Sequence, residues 1–281
     1  MLTVFWMRIR ALPASLPVLA ACLGLLAGLA QAQDAAQLIA PSPLVIHAWQ
    51  VPPPLDSSQA YFANLNNGDK IETPFVLKFG LSGGWGLAPI SKPTGGKSGH
   101  HHLLINRDLP LDFKRPLPFN DQYIHYGKGQ METVLALAPG NYTLRLLLAD
   151  DKHLPHFVFS KPVSVTVTRK NDIDPKTLMK KGIAIAVQGD TVKAPFRIQF
   201  HASGVNVGHL AQKEKDTGHF KLTMSPQSKG GAPAEMDFVN GQTEVWLAPP
   251  AGDYVLKLEF IDNQNPGKTL ADAVSSGVKV Q

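Results

Sequence analysis

Short alternating runs of apolar and polar residues dominate the chain, and helical periodicity is almost absent. Phe75-Val76-Leu77-Lys78-Phe79, Tyr142-Thr143-Leu144-Arg145-Leu146-Leu147-Leu148 and Val163-Ser164-Val165-Thr166-Val167 have the period of two expected of strands with one face on a core. Gly, Pro and Asn separate these runs, so the 24 glycines and 23 prolines read as tight connections between strands. The pattern predicts an all-β chain built as sandwiches. One stretch departs from it. Residues 11–30 form an apolar run behind Arg8 and Arg10, broken by Pro13 and Pro17, and Ala30-Gln31-Ala32 has the small-x-small pattern of a signal-peptidase exit. Residues 1–32 are therefore expected to be a cleaved signal peptide, leaving Gln33 as the mature start. A membrane anchor needs about 20 apolar residues without such an exit. No later segment is apolar enough to span, so no transmembrane anchor is expected and the mature chain is read as periplasmic or secreted. Leu19-Ala20-Ala21-Cys22 also resembles a lipobox, which leaves a lipoprotein modified at Cys22 as the alternative.

The chain repeats itself. Gly68-Asp69, Thr73-Pro74-Phe75 and Phe79 return as Gly189-Asp190, Ala194-Pro195-Phe196 and Phe200. Gly129-Gln130-Met131-Glu132 returns as Gly241-Gln242-Thr243-Glu244. Leu137-Ala138-Pro139, Gly140, Tyr142, Leu144, Leu146 and Asp150 return as Leu247-Ala248-Pro249, Gly252, Tyr254, Leu256, Leu258 and Asp262. Preserved order with small loop changes predicts two tandem immunoglobulin-like β-sandwiches, at 33–169 and 174–281. Residues 169–181 form the linker, where Asp174-Pro175 reads as an N-cap and first-turn proline opening a short helix. Upstream, 41–54 is proline-rich and reads as an extended lead-in.

Composition narrows the chemistry. Cys22 is the only cysteine, so the mature chain has no thiol and no internal disulfide. Removing Arg8 and Arg10 leaves 25 Lys plus Arg against 22 Asp plus Glu, a formal net charge of +3. No dense basic stripe with interleaved aromatics is present, which argues against a nucleic-acid partner. The glycines of 83–86 and 95–96 before Lys97 lack the phosphate-loop spacing. No Gly-x-Ser-x-Gly elbow is present either.

Histidine is the distinctive residue. Six of ten lie between positions 100 and 156, in Gly99-His100-His101-His102, His125-Tyr126-Gly127-Lys128-Gly129-Gln130 and Asp150-Asp151-Lys152-His153-Leu154-Pro155-His156. Neutral imidazole is the commonest protein ligand for copper and zinc, and metal sites gather ligands from separate segments. If 99–106 is a strand, His100 and His102 share one face and His101 shares the other with Leu103 and Ile105. His101 is then read as a core residue. The expected ligands are His100, His102, His125 and one of His153 or His156, gathered at a loop-lined rim of the sandwich. The second copy keeps the core pattern but replaces Gly99-His100-His101-His102 by Gly218-His219-Phe220-Lys221, and His125 by Asp237. It also replaces the His153–His156 segment by Asn263-Gln264-Asn265-Pro266. That loss places the chemistry in the first domain alone.

On these residues the chain resembles the bacterial exported proteins of the domain-of-unknown-function 4399 family. The resemblance is carried by Gly99-His100-His101-His102-Leu103-Leu104-Ile105-Asn106, by His125–Glu132, by 137–150, and by His153-Leu154-Pro155-His156. Tyr126 and Met131 stand where phenylalanine and threonine are expected. The resemblance implies export, a compact β domain and the histidine motifs, and it implies no activity. Three readings follow. The first is an exported copper- or zinc-binding protein, with Met131 as a further soft ligand if it faces the site. The second is an interaction module of the cell envelope that presents Trp85 and the 83–98 loop to a partner protein. The third is a metal-dependent hydrolase using Glu132, Asp150 or Asp151 beside a metal-bound water.

Overall fold

The computed structural model describes residues 46–57, 59–91, 94–228 and 230–281. The signal segment, its cleavage point and Cys22 lie outside the described residues. The first repeat holds β2 (Ala60–Phe62), β3 (Lys70–Thr73), β4 (Phe75–Leu81), β5 (Gly86–Leu87), β6 (Ser98–Ile105) and β7 (Tyr123–Tyr126). It continues with β8 (Glu132–Leu135), β9 (Gly140–Ala149), β10 (Pro155–Phe159) and β11 (Val163–Lys170). The second holds β12 (Gly182–Val187), β13 (Thr191–Val192), β14 (Phe196–Ser203), β15 (Asn206–Val207) and β16 (Thr217–Pro226). It ends with β17 (Ala234–Asp237), β18 (Glu244–Leu247), β19 (Gly252–Asp262) and β20 (Val274–Val280). A lead-in strand β1 (Gln50–Val51) precedes both.

Each repeat is two facing sheets. In the first, β2-β4-β8 opposes β3-β11-β9-β6-β5, with β7 beside β6 and β10 beside β9. In the second, β18-β14-β12 opposes β13-β20-β19-β16-β15, with β17 beside β16. Both copies close one edge with the same parallel pair, β3 on β11 and β13 on β20. The predicted all-β class and tandem immunoglobulin-like sandwiches are what the chain adopts. The repeated Leu-Ala-Pro, Gly and Tyr positions have a structural reason. Tyr142 Oη donates to the Ala138 carbonyl at 2.9 Å, and Tyr254 Oη donates to the Pro250 carbonyl at 2.8 Å. Each is a tyrosine corner that pins the connection entering the strand. The linker helix is one 3-10 turn, Pro175–Thr177, with the Asp174 carboxylate accepting from the Lys176 N–H at 3.0 Å.

Alternation produces the core. In β14 buried and half-buried positions alternate, and Phe196, Ile198, Phe200 and Ala202 point inward. Phe196, Ile198 and Phe200 each contribute about 1.5–3 kcal/mol by leaving water, and Ala202 less. Strand β6 breaks this rule, because all eight of its residues are buried. Leu103 and Ile105 enter the sandwich core with Leu77 and Phe79. The opposite face is covered by the 106–122 connection, whose Leu109, Phe113 and Leu117 pack with Leu104, Leu147 and Ala149.

The Gly-Gln-x-Glu repeats join the two sandwiches reciprocally. Glu132 accepts from Ser203 Oγ at 2.8 Å and from the Gly204 N–H at 3.1 Å, both in the second repeat. Glu244 accepts from the Gly83 N–H of the first repeat at 2.8 Å. The Gly129 carbonyl accepts from the Val207 N–H at 2.9 Å, and the Gly241 carbonyl from the Leu87 N–H at 2.8 Å. Gly129 and Gly241 have φ of 87° and 75°, and a Cβ on either would overlap the carbonyl oxygen of Val207 or Leu87. Leu81, Leu87, Met131 and Leu148 of the first repeat share one buried cluster with the core of the second. The lead-in adds to this connection: β1 pairs antiparallel with β18, so a segment upstream of the first sandwich extends a sheet of the second.

Candidate metal centre

Strand register assembles the site. His102 on β6 is the direct antiparallel partner of His125 on β7, and His100 lies opposite Ala149 at the end of β9. His153 follows in the turn from β9 to β10. There its backbone takes φ of 62°, and its N–H donates to the Asp150 carbonyl at 2.9 Å. Asp150 Oδ1 holds the turn by accepting from the N–H groups of Lys152 at 2.9 Å and Leu154 at 2.8 Å. The His153 carbonyl accepts from the Leu117 N–H at 2.9 Å, which ties the turn to the covering connection. Gly127 leaves room for the His125 ring, which a Cβ there would overlap.

The result is a compact group of four imidazoles. His100, His102, His125 and His153 each present a ring nitrogen, and these four atoms all lie within 4.8 Å of one another. Ring centroids are 4.6 Å apart for His100 and His125, 4.7 Å for His100 and His102, and 4.9 Å for His125 and His153. Tetrahedral ligation with bonds of about 2.0 Å puts nitrogens about 3.3 Å apart, within reach of small ring rotations. His100 and His102 are buried, whereas His125 and His153 are half-buried at the mouth. Phe119, 64% exposed, stands at that mouth with its ring 4.5 Å from His153 and 5.5 Å from His125.

The electrostatics disfavour protons here. Burial pushes the His100 imidazole down to about 2, and the facing His102, His125 and His153 rings add to the effect. Burial likewise pushes His102 down to about 3, again with help from His125 and His153. His125 is lowered by burial and by His153, and His153 by burial, against the raising influence of Asp150 and Asp151. All four rings are therefore neutral donors at neutral pH. Neither ring nitrogen of His100 or His102 has a hydrogen-bond partner in the protein, nor has Nε2 of His125 or His153. Each unsatisfied buried polar group costs about 1–3 kcal/mol.

The other expectations divide. His101 faces the core with its ring 4.9 Å from Phe79, as the alternation predicted. Its two nitrogens are also unpartnered, and the structure offers no reason for that. His156 is not brought into the group. It sits on β10, and its ring lies 4.7 Å from Trp85. Met131 is not near the imidazoles as a ligand would be, because it is buried in the cluster shared by the two sandwiches. Of the three carboxylates expected beside a metal-bound water, Glu132 belongs to the clasp with Ser203 and Gly204, whereas Asp150 and Asp151 stay in the turn that carries His153 and act on its ring. Trp85, expected to face a partner, is half-buried against the shared core. What sequence reasoning missed is Phe119 and the whole 106–122 cover. Their apolar residues carry no periodicity to reveal them.

A family model described as Domain of unknown function (DUF4399) matches residues 77–168 and 198–281. The chain belongs to this family. Its two matched segments fall in the two sandwiches, and among the described residues the group of four imidazoles lies in the first. No curated protein matches the chain. The chain is similar to the fibronectin(III)-like modules of Clostridium thermocellum CbhA, 10% identical with a TM-score of 0.25, covering 79% of this chain and 94% of that one. It is also similar to a two fibronectin type-III domain segment from chicken tenascin, 12% identical with a TM-score of 0.24, covering 80% and 99%. Likeness at that level carries no argument, and the fold stands on the strand pairing described above.

Proposed function

We propose that this is an exported metal-binding protein whose first sandwich holds one copper or zinc ion between His100, His102, His125 and His153. The observation that carries the reading is convergence: imidazoles from three separate segments meet within 4.8 Å, and most of their ring nitrogens lack a protein partner. A metal would satisfy up to four of those nitrogens at once. The burial of the first two rings fits retention of the ion, and the half-buried pair at the mouth fits its entry. Export follows from the basic start and the Ala30-Gln31-Ala32 exit, and periplasmic location is part of the proposal. Among the described residues no helix is long and apolar enough to cross a membrane. The test is elemental analysis of the tag-free mature chain after titration with each metal. One equivalent bound by wild type and lost in His102→Ala is the expected result, and no metal in wild type overturns the reading.

A second reading, an interaction module of the cell envelope, draws support from the architecture. Two sandwiches held as one clasped unit offer a stiff surface, and Leu111, Phe119 and Phe157 leave large apolar side chains exposed on the first. If wild type binds no metal, this reading takes its place.

A further inference from the structure

The four-stranded sheet of the second sandwich ends in an open strand. Among the described residues β12 (Gly182–Val187) pairs with β14 alone, so alternate N–H and C=O groups along its six residues face away from the sheet without a strand partner. Proteins blunt such edges by shortening them, charging them or placing proline on them. Other edge strands here follow that rule. β1, β5, β13 and β15 have two residues each. β3 carries Lys70 and Glu72, β17 carries Glu235 and Asp237, and β10 opens on Pro155. β12 is longer than each of these and contains neither a charge nor a proline. Its side chains alternate: Ile183, Ile185 and Val187 pack against the core, and Ala184 and Ala186 are exposed.

We propose that two copies of this chain pair through β12, edge to edge and antiparallel, about a twofold axis at Ile185. The proposal is independent of the metal-binding role. It names a second copy as the occupant because the strand is complementary to itself. In that register Ile183 of one copy lies opposite Val187 of the other, Ala184 lies opposite Ala186, and Ile185 meets its own counterpart. The apolar side chains then run on from one core to the next, and the small outer methyls leave the strands free to approach.

The flanks are complementary as well. The same register sets Lys180 of each copy opposite Asp190 of the other, twice by symmetry, and both residues are exposed. Lys181 is paired with Asp216 within its own chain. A foreign peptide would gain the backbone bonds of the edge, whereas a second copy also brings the matching side chains and charges. The contact is closed, because each copy offers one β12 and the twofold axis uses both. Association therefore stops at two copies, joined by one sheet made from two of four strands.

The experiment is sedimentation equilibrium of the tag-free mature chain over a dilution series, with and without a metal chelator. Wild type should form a dimer that dissociates on dilution and is indifferent to the chelator. Ala184→Lys combined with Ala186→Lys sets like charges opposite each other at both outward positions, and should weaken the dimer by about 10-fold or more. Ala184→Lys combined with Ala186→Glu sets opposite charges there instead, and should keep the dimer within about 3-fold of wild type. Both alanines are exposed, and circular dichroism checks that each variant keeps the wild-type fold. A wild type that is monomeric at every concentration overturns the proposal. A dimer that survives the two lysines also overturns it, because the copies then meet through another face. Equal loss in both variants rules out the axis at Ile185, and a dimer abolished by the chelator is bridged by an ion; either result overturns the pairing.

Discussion

The two repeats share a scaffold down to the register and differ in what they place on it. His100 in the first copy and His219 in the second occupy the same station, opposite Ala149 and Ile261 on the following strand. His102 and Lys221 do likewise, paired with His125 and Asp237. The turns after β9 and β19 are also built alike, since Asp262 Oδ1 accepts from the Gln264 N–H at 2.8 Å as Asp150 does from Lys152. In the second copy two of these polar groups have internal partners. His219 Nδ1 lies 2.6 Å from Asn263 Oδ1, and Lys221 Nζ lies 2.8 Å from Glu235 Oε2. In the first copy the same stations carry His100 and His102, buried with both ring nitrogens unpartnered in the protein, and His125, half-buried with Nε2 unpartnered. The shorter 227–233 connection leaves the second face to an open ion pair, in which Lys221 is raised by Glu235. The fold does not require histidine at the stations of His102 and His125, and where the second copy keeps one, at His219, the ring has a side-chain partner. The cost of unpartnered rings in one copy alone is what a ligand would explain.

The sharpest break of the comparison is a paired substitution. His102→Ala should weaken metal binding by about 100-fold or more, whereas His219→Ala should change it by less than about 2-fold, read by chelator competition on the same preparation. Equal losses from both would place the ion in neither repeat as described.

The clasp treats the two copies as equals, and a second test asks whether they are. Glu132→Ala leaves Ser203 Oγ and the Gly204 N–H without their acceptor, and Glu244→Ala leaves the Gly83 N–H without its own. Each should cost about 1–3 kcal/mol in chemical denaturation without altering the metal stoichiometry. Burial raises both carboxyls, yet their net shifts are opposite. At Glu132 burial raises the pKa, but bonds from His201 and Ser203 outweigh it and leave the group lowered. At Glu244 burial wins and leaves it raised. A fall in stability confined to one of the two variants would show that the clasp is not reciprocal in energy.

Acid separates the repeats more gently. His100 and His102 are depressed to about 2 and about 3, below the ordinary 6.5 that they regain on unfolding. Between about pH 6.5 and 3 the unfolded chain takes up protons that the folded chain refuses. Stability of the metal-free protein is therefore full above about 6.5 and declines as pH falls, by up to about 1.4 kcal/mol per unit for each such histidine. Replacing both with Gln should flatten the denaturation profile between about pH 6 and 4. A profile as steep as wild type would mean that these rings are not held neutral.

The smallest effect is expected at His156. Its ring lies against Trp85, outside the group of four. His156→Ala should leave metal affinity within about 2-fold of wild type and cost about 1 kcal/mol of packing, seen as a small drop in Tm. A metal loss comparable with that of His102→Ala would return it to the site.

Much of this molecule was legible in the order of its residues. Period-two runs and turn residues specify strands because side chains alternate across a pleated sheet. The repeated Gly, Pro and Tyr positions specify tandem sandwiches, because corners and crossings need the same residues each time. Alternation also separated His101 from His100 and His102. What it could not supply was any relation between segments distant in the chain. That His102 meets His125 depends on the register of β6 with β7. That His153 rather than His156 joins them depends on β10 beginning at Pro155, which leaves His153 in the turn and carries His156 along the strand to Trp85. Glu132 and Met131, close in sequence to His125, were drawn away by a second domain whose position no local pattern encodes. Local pattern reports backbone conformation and which face is apolar. Convergence of donors is a long-range property, decided only when register, loop cover and domain docking bring distant residues within a few ångströms of one another.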